Sequence, residues 1–363
     1  MAAILLSNHT TTKINLGDNA FGERGGAYIG AVIQRNTSLT EMILSNNNLS
    51  RDGVLSITNA LKANTTMRRL DLSGNGLDDK DARILSEAIK NNNSLRYLNL
   101  SYNNFAELSG NYFGSALQMN NGLLELDLSW NHIRLGGAAS FCSCLCYNDT
   151  LVKLDLSWNG FDDFGTTTLC EALKRNTRLT ELFLNNNRLS DVGIQNVAKG
   201  IEGNTTLEEL DLSHNPVLTS CDGVLKILEA VEKNRCGLMK LIIVDVRLND
   251  DSVLLIQKLK VEKQDFVINY GCKKSDEFMA KKEEVNPFEF VKEYMEKNKL
   301  HSSDLFKRLS KNGEFQDSMS TKDFTEGVKR LNIMNAFYVE KLVSMLDCDS
   351  DGEIDYSEFV KQS

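Results

Sequence analysis

One asparagine returns at a constant interval of 28 residues, at Asn19, Asn47, Asn75, Asn103, Asn131, Asn159, Asn187 and Asn215. A second keeps the same interval through Asn36, Asn64, Asn92, Asn120, Asn148, Asn176 and Asn204. A register held this long constrains the fold more than any other property of the chain, because a fixed period of this size is the mark of a stacked repeat. Within each unit, a Leu-x-Leu alternation such as Leu98/Leu100 or Leu126/Leu128 has period two and predicts a short strand with leucines on one face. Apolar residues then return at helical spacing, as in Ile84, Leu85, Ala88 and Ile89. A strand and a helix in so short a unit cannot bury either apolar face alone. The units must therefore stack, with strands forming a parallel sheet and helices a second layer. A helix is wider than the spacing of about 4.8 Å between strands, so the stack curves with the strands inside. The predicted fold class is α/β, a curved solenoid with a parallel inner sheet and outer helices over residues 1–271.

The recurring asparagine stands where the chain leaves the strand. Its amide both donates and accepts, and can satisfy backbone groups of adjacent turns that would otherwise be buried unpaired. Gly53, Gly136, Gly165 and Gly193 follow it and suit a tight turn into the helix. The pattern Lx(x)LxLxxNxL followed by a helix resembles the ribonuclease-inhibitor class of leucine-rich repeats. That class also supplies the sensor arms of nucleotide-binding innate immune receptors and the activator of the Ran GTPase. The resemblance runs from about residue 12 to residue 248, in nine units whose strands begin near Ile14, Met42, Leu70, Leu98, Leu126, Leu154, Leu182, Leu210 and Leu241. The last unit is irregular: the interval from Leu212 to Ile243 is longer than the period, and Val246 replaces the asparagine. A final apolar run, Phe266–Tyr270, is expected to add a capping edge strand. So little precedes the first repeat that an isoform shortened at its N-terminus is expected.

Between the paired leucines, one residue per repeat points away from the inner sheet: Asn15, Ile43, Asp71, Asn99, Asp127, Asp155, Phe183, Asp211 and Ile242. Glu125, Glu181 and Glu209 extend this acidic ladder, and Arg69, Arg96 and Lys153 partly offset it. One position before the asparagine stand Tyr102, Trp130 and Trp158, then Asn186 and His214, so both tryptophans of the chain lie in adjacent repeats. Aromatic residues beside charges are typical of protein-recognition hot spots. The same residues also admit a plainer reading, aromatics packing the rim and aspartates keeping the strands soluble.

After Gly271 the register is lost. Residues 272–287 read as a charged linker ending at Pro287, and residues 288–363 as a second, all-α domain. There the run Asp347-Cys-Asp-Ser-Asp-Gly-Glu-Ile-Asp-Tyr-Ser-Glu358 carries oxygen donors at the spacing of a calcium-binding EF-hand loop. Asp347, Asp349 and Asp351 occupy positions one, three and five, Glu353 offers its carbonyl, Asp355 binds directly or through water, and Glu358 is the bidentate ligand. Gly352 permits the sharp bend and Ile354 is placed to pair with a sister loop. Met319 to Ile354 and Phe324 to Phe359 are equal intervals, of a length usual for paired hands. The earlier loop, Ser310–Met319, lacks the acidic ladder and the glycine at position six, is one residue too long, and has Asp323 where the bidentate glutamate belongs, so it is expected to bind no metal. One Ca2+ ion is therefore expected. Repeats followed by an EF-hand pair resemble the leucine-rich-repeat-containing protein seventy-four group.

A net charge of −9 argues against nucleic acid as a partner, which needs a concentrated basic surface. No apolar run reaches membrane-spanning length, and the first residues lack the basic region of a signal peptide. The eight cysteines show no CxxC spacing; Cys142, Cys144 and Cys146 read as buried or free thiols of a reducing compartment, with a redox or metal role as the alternative. HExxH, GxSxG and GxxxxGK are absent, which argues against the corresponding enzymes. The expected function is a cytoplasmic protein–protein interaction scaffold. A protein partner is expected on the concave face or rim, with Asp71, Tyr102, Asp127, Trp130, Asp155, Trp158, Phe183 and Asp211 as candidate contacts. The EF-hand pair offers a possible second target, and its ion is either a regulator or a fixed structural element. A structural component of a cytoskeletal or ciliary assembly is the alternative. A GTPase activator of the Ran-activator type is weaker, because the acidic tail of that family is missing.

Overall fold

The structure, a computed structural model, describes residues 2–216, 222–233, 236–246, 248–271, 287–310, 317–331, 333–334, 336–347 and 351–362. The chain divides into two compact units, Met1–Lys274 and Ser275–Ser363. Residues 272–286, read above as most of the linker, lie outside the described residues.

Among its described residues, the first unit holds a single parallel sheet with strands in chain order: β1 (Lys13–Asn15), β2 (Glu41–Ile43), β3 (Arg69–Asp71), β4 (Tyr97–Asn99), β5 (Glu125–Asp127), β6 (Lys153–Asp155), β7 (Glu181–Phe183), β8 (Glu209–Asp211), β9 (Lys240–Val244) and β10 (Val267–Gly271). The register is in step throughout, Leu70 facing Leu98, then Leu126, Leu154, Leu182, Leu210 and Leu241. The Phe266–Tyr270 run supplies β10, which pairs with β9. A short helix α1 (Ala2–Ser7) leads in. The layer behind the sheet is α2 (Gly22–Arg35), α3 (Arg51–Ala63), α4 (Asp79–Asn91), α5 (Glu107–Leu117), α6 (Leu135–Cys144), α7 (Asp163–Arg175), α8 (Asp191–Ile201), α9 (Asp222–Glu232) and α10 (Asp250–Glu262). Leu70, Leu72, Leu77, Leu85, Ile89 and Leu95 of one repeat are all buried, and the same positions in neighbouring repeats join them in one continuous core.

Two asparagine belts satisfy the polar groups that this stacking buries. Asn75 Nδ2 donates to the carbonyls of Leu44, Leu72 and Ser73, each at 3.0 Å. Its Oδ1 accepts from Asn47 N at 3.0 Å and Leu49 N at 3.3 Å. The second belt works where helix returns to strand: Asn92 Nδ2 donates to Leu61 O (2.7 Å) and Asn64 O (3.0 Å), and Oδ1 accepts from Ser94 N and Leu95 N. This belt starts one period earlier than the repeat count above, at Asn8, whose Oδ1 accepts from Thr10 N and Thr11 N.

The glycines call for a correction. Gly53, Gly136, Gly165 and Gly193 lie inside α3, α6, α7 and α8, not in turns. They allow neighbouring helices to approach: a Cβ on Gly53 would stand 3.1 Å from Gly26 Cα, and one on Gly193 2.4 Å from Asp163 Oδ1. Close packing lets one helix cap the next. Asp79 Oδ1, in the first turn of α4, accepts from Ala106 N and Ser109 N at the start of α5, whose own N-cap residue is an alanine.

In the second unit, α11 (Phe288–Asn298), α12 (Ser302–Leu309), α13 (Thr321–Arg330), α14 (Ala336–Leu346) and α15 (Tyr356–Gln362) accompany an antiparallel pair, β11 (Ser318–Ser320) and β12 (Glu353–Asp355). Phe359 lies at the core, its ring 5.2 Å from Phe288, 5.4 Å from Phe306 and 6.1 Å from Phe324.

Asn75→Leu conserves size but leaves the buried amides of Asn47 and Leu49 without their acceptor, and removes one of the two donors to each of the Leu44, Leu72 and Ser73 carbonyls. Buried unpaired groups cost about 1–3 kcal/mol each. The substitution is expected to lower the unfolding free energy by about 3 kcal/mol or more, measured by urea denaturation; a loss under about 1 kcal/mol would show the belt to be dispensable.

Candidate protein-binding face and candidate metal loop

Asp71, Asp127, Asp155, Phe183 and Asp211 each occupy the last position of a strand, half-buried beside the buried leucine. The aspartates turn back onto their own chain. Asp71 Oδ1 accepts from Ser73 N (2.9 Å) and Ser73 Oγ (2.6 Å), and Asp127, Asp155 and Asp211 accept from the amides of Ser129, Ser157 and Ser213 at 2.9 Å. Each thus closes the turn that leaves the strand. Asn15 and Asn99 do the same with a neutral amide, so the turn does not require the charge.

Neighbouring strand residues are already paired. Glu41 takes Lys13 at 2.9 Å and Arg69 at 3.7 Å, Glu181 takes Lys153 at 2.6 Å, and Glu209 takes Lys240 at 2.8 Å. The Arg69 guanidinium lies 3.4 Å from the Tyr97 ring centre, and Lys153 Nζ 5.0 Å from that of Phe183. Arg96, expected to offset the acids, instead donates to the carbonyls of Asn93 and Gly122. Among the described residues, no cation is ion-paired with Glu125, Asp127, Asp155 or Asp211. Burial pushes the Asp127 and Asp155 carboxyls above the ordinary aspartate range; the Ser129 and Ser157 hydrogen bonds pull them down, while Asp155 and Asp71 around Asp127, and Asp211 near Asp155, push them up.

Just past the strands, the column holding the aromatics has a backbone that sequence reading missed. Asp18, Asn46, Gly74, Tyr102, Trp130, Trp158, Asn186, His214 and Asp245 all have φ between 53° and 66°. Glycine, asparagine, aspartate and histidine tolerate this left-handed conformation; for bulky side chains it is an outlier costing about 1–2 kcal/mol each. The mix of Asp, Asn and Gly in the column was the available signal. Tyr102, Trp130 and Trp158 form a continuous stack, with ring centres 4.9 Å and 3.9 Å apart and planes within 12°. They remain 57%, 38% and 42% exposed. Stacking contributes about 0.5–1.5 kcal/mol per pair, comparable to what the backbone costs, so conformational need alone does not account for three aromatics in this column.

The cysteine cluster lies in and after α6. Burial pushes the Cys142 and Cys144 thiols far above their ordinary range, and Cys146 upward too. Cys142 and Cys144, fully buried, pack as small apolar side chains, whereas Cys146 is partly exposed.

In the second unit, Met319 faces Ile354 across β11 and β12. Gly352 has φ of 85°, with nothing near enough to obstruct a side chain, so backbone geometry rather than space selects glycine. Asp347 Oδ1 accepts from Asp351 N, Asp351 Oδ1 from Glu353 N and Glu358 Oε2 from Asp355 N, at 3.1, 2.8 and 3.0 Å. Asp355 and Glu353 are exposed. Asp349 lies outside the described residues, and among those described no group of three His, Cys, Asp or Glu side chains is gathered to hold a metal. In the earlier loop, residues 311–316 also lie outside the described residues, and the Asp323 carboxylate accepts from Ser320 Oγ at 2.9 Å.

Raised pKa values mean that the folded state holds the protons of Asp127 and Asp155 more tightly than the unfolded chain. Their ionisation therefore opposes folding, a penalty absent well below the ordinary value of 3.8 and growing as pH rises through the folded pKa. Asn at both positions keeps the turn-closing oxygen and removes the charge. The double variant is expected to be at least as stable as the parent at neutral pH, with the difference fading on acidification below 3.8. Urea denaturation across pH reads this; a less stable variant at neutral pH would show that these charges support the fold.

A family model described as a leucine-rich repeat matches residues 35–57, 63–85, 91–106, 120–142, 147–170 and 203–220. No curated protein matches the chain in sequence. Among solved structures, the tropomodulin C-terminal domain of Caenorhabditis elegans is similar at 18% identity and a TM-score of 0.36, over 42% of this chain and 92% of that one. Leiomodin-1 actin-binding site 2 is similar at 14% identity and a TM-score of 0.33, over 59% of this chain and 95% of that one. Among the described residues no helix is long and apolar enough to cross a membrane. Ten described parallel strands alternating with helices, with six matched segments among them, fit an α/β leucine-rich-repeat solenoid.

Proposed function

We propose that this protein is a non-enzymatic scaffold that recognises another protein through the strand face of its repeat unit, with Tyr102, Trp130 and Trp158 as the central contacts. One observation carries this reading: three exposed, stacked aromatics occupy backbone positions that glycine, asparagine or aspartate fill in neighbouring repeats. Large rigid rings with little rotamer freedom are the side chains that dominate binding energy at protein interfaces. Asp71, Asp127, Asp155, Phe183 and Asp211 flank them on the strands. The test is partner capture with wild type and with Trp130→Asn/Trp158→Asn, a substitution suited to the left-handed backbone. Proteins retained by wild type are expected to be lost by the double variant while its far-ultraviolet circular dichroism stays unchanged; retention by both would dismiss this face as the binding surface.

The second part of the proposal is one calcium ion in the loop from Asp347 to Glu358. Supporting it are a donor set made entirely of oxygen, the left-handed glycine at the bend, and the Met319–Ile354 pairing that ties this loop to its neighbour. Asp347, Asp349, Asp351, Glu353, Asp355 and Glu358 would hold the ion, whose charge would offset the repulsion among their carboxylates. Calorimetric titration is expected to find a single site that Glu358→Gln abolishes or weakens by at least about a hundredfold, since the bidentate ligand is lost. An undiminished heat in the variant would place the ion elsewhere. Partner capture that changes with calcium would identify a switch, and capture that does not would identify a structural ion.

A further inference from the structure

We infer that the partner segment docking on this face is basic and presents arginine to the aromatic stack; the inference rests on the recognition reading above and specifies its chemistry. From β4 to β8 the strand face carries six carboxylates and a single cation, Lys153, which is already bound to Glu181. Lys240, from β9, is taken by Glu209. Of the carboxylates left over, Glu125, Asp127 and Asp155 lie in the repeats that carry Trp130 and Trp158, and Asp127 and Asp155 are direct neighbours in the sheet register. The sheet already shows which cation suits such a surface. Arg69 bridges to Glu41 while its guanidinium lies against the Tyr97 ring at 3.4 Å, one group serving a carboxylate and an aromatic face together. Arginine does this better than lysine, because its planar fork can stack on a ring and still direct N–H groups at an acid. Trp130 and Trp158 offer the larger π surface, with Asp127 and Asp155 nearby, but among the described residues neither tryptophan has a cation over its ring. Charge complementarity thus selects a partner of opposite sign, and the exposed rings select its side chain.

The protein contains two tryptophans, both in this stack, so its intrinsic tryptophan emission reports on this surface alone. The probe is a short synthetic peptide with arginine at every second position, titrated into the full chain beside the same peptide carrying neutral citrulline. The expected result is a saturable change of emission with the arginine peptide and little with citrulline, with affinity falling as salt is raised. Asp127→Asn/Asp155→Asn should weaken binding by about tenfold or more, whereas Glu171→Gln/Glu202→Gln, an equal loss of charge in α7 and at the end of α8, should not. No emission change with either peptide, equal responses to both, or equal weakening by the two double variants would overturn the inference. If the arginine peptide fails while Trp130→Asn/Trp158→Asn still strips captured proteins, the face stands and its assigned chemistry falls. If that capture also survives the tryptophan substitutions, the recognition reading fails with it.

Discussion

Every feature of the repeat unit depends on how it disposes of the backbone polar groups where a strand ends. Strands this short cannot hide their ends, and stacking places those ends against a leucine core. The asparagine side chain resolves this with one amide. Asn75 reaches back to the carbonyl of Leu44 in the preceding repeat, closes its own turn through Leu72 and Ser73, and accepts amides of Asn47 and Leu49. These contacts recur at fixed sequence separations, so the 28-residue period is a hydrogen-bonding requirement as much as a packing one. A repeat one residue longer would misplace donor and acceptor together. The last repeat, where the interval from Leu212 to Ile243 exceeds the period and Val246 is buried in place of the asparagine, shows where the belt ends.

That same turn creates the candidate binding surface. Leaving the strand and returning toward the helix requires one residue in the left-handed region, and the asparagine follows it directly. Most repeats fill the position with a residue that tolerates it. Three consecutive repeats carry large aromatics instead, and the regular spacing of the turns places their rings face to face. The strip is thus a by-product of the repeat geometry, its function set by which side chains occupy a column the fold has already aligned. The aspartates follow the same logic, since asparagine closes the turn equally well at Asn99 and the charge is an addition to a structural role.

Strands, helices, the in-step register, the asparagine role and the edge strand at Val267–Gly271 were legible in the sequence, because periodicity and hydrogen-bonding capacity are properties of the residue string. The aromatic row was legible as a row, though not as a stack on left-handed backbone, since conformation appears in a column only when its glycine and asparagine members are read beside its tryptophans. Gly53 and Gly193 were misread as turn residues: a missing side chain signals close approach without saying what approaches, and here it is a neighbouring helix. Arg96 was misread because a side chain near an acid in sequence can reach a carbonyl in the other direction. In the second unit, the interval between Met319 and Ile354 appears as a backbone pair, a long-range contact readable from spacing alone.

The position of the aromatic strip within the array has a further consequence. Tyr102, Trp130 and Trp158 follow β4, β5 and β6, so among the described residues three strands of this sheet precede them and four follow. In an array where each repeat touches only its neighbours, opening begins at the termini and moves inward, and end units spend the largest fraction of time frayed. Excursions that melt the outer repeats therefore leave the proposed recognition surface assembled. Binding capacity should outlast part of the structure that surrounds it, and a ligand on the strip would hold the middle of the array together while its ends continue to breathe.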